Sequence, residues 1–198
     1  RVALPSFFRG LSELAEKHGV ALAFDEVQTG LGATGKNFAI DHFELPYPPL
    51  AVATGKKFGT GVVYMYQPLE EFGILDSTWG GTLSDMVRVV RELEIVKEED
   101  LISKAATNGA YLVEKLLALQ ARHKGFVGNV RGMGLYQGFS VKDSETKAKV
   151  VKIARESYSL LLLGAGNHSI RLRPNLSVTR GDIDLLCELL HQVFTEAA

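Results

Sequence analysis

Apolar positions set the first outline of this chain. Phe7, Leu11, Leu14 and Ala15 recur at helical spacing, Ser6 supplies an N-cap residue ahead of them, and Gly19 ends the pattern. The run that follows, Val20-Ala21-Leu22-Ala23-Phe24, is continuously apolar, which predicts a strand covered on both faces of a parallel sheet. Glycines 30, 32 and 35 predict a loop, and Pro46, Pro48 and Pro49 a second break. Leu50 to Ala53 and Gly61 to Tyr66 read as two further short strands. From Leu83 a long helical stretch carries an apolar stripe of Met86, Val87, Val90, Leu93 and Val96. The acids Glu98, Glu99 and Asp100 suit a second helix start, and Leu101 to Ala121 continues the helical pattern.

After Gly125 the texture changes. Short strands at Val127 to Arg131 and Leu135 to Val141 alternate with helices at Ser144 to Tyr158 and Asp182 to Phe194. The last helix opens with Thr179-Arg180-Gly181-Asp182, a capping-box pattern with Asp in the Glu position. A helix followed by a buried strand is half of a βαβ repeat, so the fold class is α/β, with a domain boundary near residue 100.

Composition narrows the function. Of 198 residues, 46% are apolar and 23% charged, and the formal net charge is −1, which leaves no basic stripe for nucleic acid. No apolar run reaches a membrane span, so no membrane partner is expected and the chain is read as soluble. The single cysteine, Cys187, cannot form a disulfide within the chain and fits a reducing cytoplasmic setting; core packing is its expected role. The five histidines lack ligand spacing, so no metal site is expected.

Three features carry chemistry. Asp25-Glu26 sits where a strand ends, a place where acids in α/β sheets face ligands; the plainer reading is a solvated acidic turn. Gly55-Lys56-Lys57-Phe58-Gly59 presses a lysine among glycines, where a ligand can approach bare backbone; its plainer reading is an exposed basic loop. A lysine there, desolvated or beside other cations, becomes an amine nucleophile. Gly30-Leu31-Gly32-Ala33-Thr34-Gly35 matches GxGxxG, the mark of a nucleotide-binding oxidoreductase. That fingerprint needs a substantial helix after its third glycine, and here prolines follow soon after. Pyridoxal phosphate unites the first two features. Its aldehyde binds a lysine, and a carboxylate against its ring nitrogen keeps that nitrogen protonated.

Leu22 to Gly30, Gly55-Lys56-Lys57, Ser77-Thr78-Trp79-Gly80-Gly81 and Ile170-Arg171-Leu172-Arg173-Pro174 together resemble, in order and spacing, the class III aminotransferases. The resemblance covers essentially the whole chain. It implies the large domain of a fold type I pyridoxal-phosphate-dependent transferase over residues 1–100, a mostly parallel sheet with helices. A small C-terminal α+β domain then occupies 101–198. Carried over, Asp25 pairs with the pyridine nitrogen, Val27 packs on a ring face and Gln28 lies near the phenolic oxygen. Lys56 holds the cofactor, with Lys57 as the alternative. Thr78 reaches the phosphate of a neighbouring subunit's cofactor, which implies a homodimer with shared sites, and Trp79 anchors its loop at that interface. Arg171 holds a substrate carboxylate, with Arg173 assisting or serving as a surface strand residue.

Within the class, residues 77–88 are most similar to L-lysine 6-aminotransferases (L-lysine 6-transaminases). The tandem lysine and residues 169–174 also occur in 4-aminobutyrate aminotransferases. Both kinds of enzyme pass a terminal amine to 2-oxoglutarate. Family members carry a long N-terminal portion before the segment matching Phe7 to Gly19, so this chain, which opens without methionine, is expected to be part of a longer enzyme.

Overall fold

The computed structural model describes residues 2–68 and 80–198. The chain divides into two compact units, Ala3–Ile102 and a second built on Ser103–Ala198.

The first unit opens with helix α1, Pro5–Lys17. Its N-cap is Leu4, not the expected Ser6. Proline occupies the first turn, where its fixed φ suits a helix and its missing N–H costs nothing, so Ser6 falls inside the helix. Gly19, at φ 62°, ends the helix as its position predicts.

Strands β1 (Ala23–Asp25), β2 (Ala51–Thr54) and β3 (Val62–Met65) form a sheet in that order. The pairing of β1 with β2 is parallel and that of β2 with β3 antiparallel. β1 is shorter than the apolar run suggested, and it is not covered on both faces. Ala23 and Asp25 are exposed and Val20 is 58% exposed, because among the described residues β1 is an edge strand with one hydrogen-bonded neighbour.

Helix α2, Leu83–Glu98, is capped by Thr82, whose hydroxyl accepts from the Asp85 N–H. Most of its apolar stripe is exposed, with Val96 half-buried. Leu83, Met86, Val87, Val90 and Leu93 face outward, and Val89 is the buried position of this helix.

Helix α3, Leu101–Arg122, carries the chain into the second unit. There β4 (Val127–Met133), β5 (Tyr136–Val141), β6 (Leu163–Ala165) and β7 (Ser169–Leu172) form an antiparallel sheet in the order β4-β5-β7-β6. Two helices, α4 (Ser144–Tyr158) and α5 (Arg180–Ala197), pack on each other and share a core with the sheet. The Thr179 hydroxyl accepts from the Asp182 N–H while the Asp182 carboxylate accepts from the Thr179 N–H, so the predicted capping box forms. Along α5, Ile183, Cys187, Leu190, Phe194 and Ala197 repeat at helical spacing and are buried, which seats Cys187 in the core. Phe194 meets the rings of Phe139, Phe126 and His123 at centroid distances of 5.5, 5.8 and 5.4 Å.

Candidate active site at the ends of two parallel strands

Parallel pairing carries β1 and β2 in the same direction, so both chains leave the sheet on one rim. Asp25 is opposite Ala53 in register, and the Glu26 N–H donates to the Ala53 carbonyl at 2.7 Å. Three residues past Ala53, the Lys56 N–H donates to the Val27 carbonyl at 3.2 Å. This pair of bonds fastens the chain around Asp25 to the chain around Lys56. The Asp25 carboxylate accepts from the Val27 N–H at 3.0 Å, a local turn bond that aims the acid, and both Asp25 and Lys56 are exposed. A Cβ on Gly55 would stand 3.9 Å from Val27 Cγ1, so the Val27 side chain lies over the strand exit beside Lys56. Gln28 and Lys57 are half-buried.

Two residues outside the expected set hold this rim. Arg88, on α2, donates to the Gly59 carbonyl at 2.7 Å and so anchors the glycine loop around Lys56. Gly59 has φ 67°, and a Cβ there would come within 2.9 Å of Arg88 Nη2. The second residue is Glu26. It is 2% exposed, which corrects the reading of Asp25-Glu26 as a solvated turn on its second member. Its carboxylate accepts from the Ile40 N–H at 2.8 Å, the Ala39 N–H at 2.8 Å and the Thr29 hydroxyl at 2.6 Å. Adjacent side chains at a strand end point to opposite sides, and that alternation was the available signal that the two acids differ.

The glycine-rich stretch forms no dinucleotide site. Leu31, Ala33 and Thr34 are buried, the Gly35 N–H donates to the Gly32 carbonyl at 2.9 Å, and the next helical element is a four-residue 3-10 turn, Ala39–His42. A pyrophosphate reader needs a long helix beginning at that third glycine. Burial first, then the Lys36 ammonium, holds the His42 imidazole below its ordinary range; its ring meets the Thr34 hydroxyl at 3.2 Å.

The remaining expected residues lie elsewhere. Arg171 is in the second unit, half-buried on β7 between Gly138 of β5 and Leu163 of β6. It lines a hollow of about 120 Å³ with Arg131, Tyr136, Gln137 and Ser169. Arg173 follows the strand and is half-buried. Thr78 and Trp79 fall outside the described residues.

A lysine and a carboxylate on one rim of a parallel pair, flanked by an apolar side chain, suit a cofactor held through an amine and a ring nitrogen. The sequence pattern described as aminotransferase class-III matches residues 1–194, and the chain belongs to that family. Members work with pyridoxal phosphate on a fold type I scaffold, and the α/β architecture found here agrees with it.

Among sequence relatives, mitochondrial 4-aminobutyrate aminotransferase of Sus scrofa is 39% identical over 177 residues, covering 88% of this chain and 35% of its own length. L-lysine-epsilon aminotransferase of Amycolatopsis lactamdurans is 34% identical over 193 residues, covering 93% and 42%. Among solved structures, lysine aminotransferase from M. tuberculosis in the internal aldimine form superposes with a TM-score of 0.92 at 32% identity. That match covers 98% of this chain and 46% of the other. The chain thus spans less than half the length of these relatives. Among the described residues, no helix is long and apolar enough to cross a membrane.

Proposed function

We propose that the protein to which this chain belongs moves the terminal amine of L-lysine to 2-oxoglutarate, with Lys56 as the residue that carries pyridoxal phosphate. The observation that supports the chemistry is the 3.2 Å bond from the Lys56 N–H to the Val27 carbonyl, which sets Lys56 beside the Asp25 strand end. Bound there, the cofactor supplies an aldehyde for an amine to hold and a ring that takes up electron density.

The chain's own residues supply the rest. Asp25 holds a proton at the ring nitrogen, because an opposite charge favours the charged form of the base. Lys56 would yield the cofactor to the substrate's amine, and its own freed ε-amine would then carry a proton to and from the substrate's amine-bearing carbon. Val27 packs on one ring face and Gln28 lies near the phenolic oxygen. Arg171 grips a substrate carboxylate through its two-pronged guanidinium. Thr78 reaches the phosphate held by a neighbouring subunit, so the working unit is a homodimer. A cytoplasmic location fits the single cysteine.

Residues 77–88 favour L-lysine as donor. A second reading, with 4-aminobutyrate as donor, has its own support in the 39% identity to the Sus scrofa enzyme. Glutamate formed from 2-oxoglutarate by the full-length protein, with each donor in turn, separates the two. L-lysine should give the higher kcat/KM and Lys56→Ala should abolish turnover with either. A higher value for 4-aminobutyrate transfers the assignment to that donor, and no glutamate from either refutes the proposal.

A further inference from the structure

Glu26 has no part in the chemistry described above, yet it is one of the most enclosed polar side chains among the described residues. A carboxylate taken out of water is costly unless hydrogen bonds replace its hydration. Glu26 has those bonds. Ala39 and Ile40, 13 and 14 residues further along, each donate a main-chain N–H, and the Thr29 hydroxyl donates from within the same turn. One carboxylate therefore closes the whole glycine-rich loop back onto the strand end.

The main chain of the same residue grips the other side. Its N–H makes the 2.7 Å bond to Ala53, and its carbonyl accepts from Gly30 N–H at 2.9 Å and from the buried Thr54 hydroxyl at 3.3 Å. Thr54 stands two residues before Lys56, and Glu26 stands between Asp25 and Val27. A rotation of the backbone at Glu26 would thus turn Asp25 and Val27 together and shift the exit toward Lys56. We infer that Glu26 is a positioning residue: by binding the loop at residues 29–40, it sets the direction of Asp25 and its distance from Lys56. This rests on the reading of Asp25 and Lys56 as the cofactor's partners.

The test uses the full-length protein loaded with pyridoxal phosphate. Glu26→Gln keeps the shape but puts an amide donor against main-chain donors, and Thr29→Val removes the 2.6 Å bond alone. The readouts are the visible circular dichroism of the bound cofactor, the pH midpoint of its absorbance, and kcat against KM. Misplacing a reacting group by about 1 Å can cost on the order of 100-fold. Glu26→Gln should therefore lower kcat at least about tenfold, alter the dichroic band and move the pH midpoint, with KM changed much less. Thr29→Val should move the same readouts in the same direction by less, and it decides the matter if Glu26→Gln does not fold. If the variants lose thermal stability but keep the wild-type band, midpoint and kcat, Glu26 is only a structural clasp and the inference is overturned. If the wild-type protein binds no pyridoxal phosphate, the cofactor assignment itself falls, a result distinct from any variant's behaviour.

Discussion

Replacing Gly30 with alanine should weaken the junction of β1 and β2 through one identifiable clash. A Cβ there would overlap Thr54 Oγ1 and stand 3.2 Å from Thr54 Cβ and 3.1 Å from the Glu26 carbonyl oxygen. Gly30 is not in the left-handed region of φ, so the cost is one of space and not of backbone conformation. Thr54 is 3% exposed, and swinging its hydroxyl away breaks the 3.3 Å bond to Glu26. Overpacking of this kind costs about 1–3 kcal/mol. Alanine returns about 0.4–1 kcal/mol by restricting the unfolded chain, leaving a net loss between about 0 and 2.6 kcal/mol, centred near 1 kcal/mol.

Thr54→Ala removes the clash with the hydroxyl and leaves the tight contacts to the Glu26 carbonyl oxygen at 3.1 Å and to the Cβ of residue 54 at 3.2 Å, so Gly30→Ala should then cost about 0.5 kcal/mol or less, a coupling of about 1 kcal/mol. Urea denaturation of the full-length protein, followed by far-ultraviolet circular dichroism, measures each corner of this cycle as a change in midpoint at constant slope. Equal costs of Gly30→Ala in both backgrounds, or no cost in either, would refute the steric account of the strand junction.

Other outcomes follow from the second unit. His123 and His191 meet at 2.7 Å, one ring donating and the other accepting. Burial foremost, then the His191 ring and the Arg122 guanidinium, holds His123 below its ordinary 6.5. The unfolded chain therefore takes up that proton first as pH falls. The stability contribution should be complete above about pH 7 and decline as pH drops through 6.5, and His123→Gln should flatten this slope in thermal melts. Burial pushes the Cys187 thiol up to about 11, so a disulfide reagent at about pH 8 should leave its peptide unlabelled until the protein unfolds. Phe194→Ala empties a site ringed by three aromatic side chains and should cost about 3–5 kcal/mol in urea denaturation; a loss under about 1 kcal/mol would contradict the packing described.

How far the sequence reached depends on what each pattern encodes. Capping is local chemistry, so Thr179 and Asp182 announced α5, and the apolar spacing of α4 gave Ser144–Tyr158 with its observed bounds. Periodicity reports that a face is apolar but not what lies against it. That is why the run Val20 to Phe24 predicts a strand covered on both faces, while Val20, Ala21 and Ala23 are exposed here. β6 and β7 span three and four residues, too short for a period to register. Asp25 and Lys56 could be paired beforehand because one cofactor chemistry needs both an amine and a carboxylate, and because their neighbours resemble a known family. Glu26 could not be told from its neighbour by type, since its role comes from donors 13 and 14 residues away. The contact of His123 with His191 spans 68 residues and has no local trace.

Lys56, and not the adjacent Lys57, is the lysine proposed to carry the cofactor. Borohydride reduction of the full-length protein loaded with pyridoxal phosphate fixes the cofactor to the lysine that holds it, and peptide mass analysis identifies that lysine. The mass increment should fall on Lys56, and Lys56→Ala should lose it without a matching gain at Lys57. An increment on Lys57, or none on any residue between Gly55 and Gly61, would contradict the account.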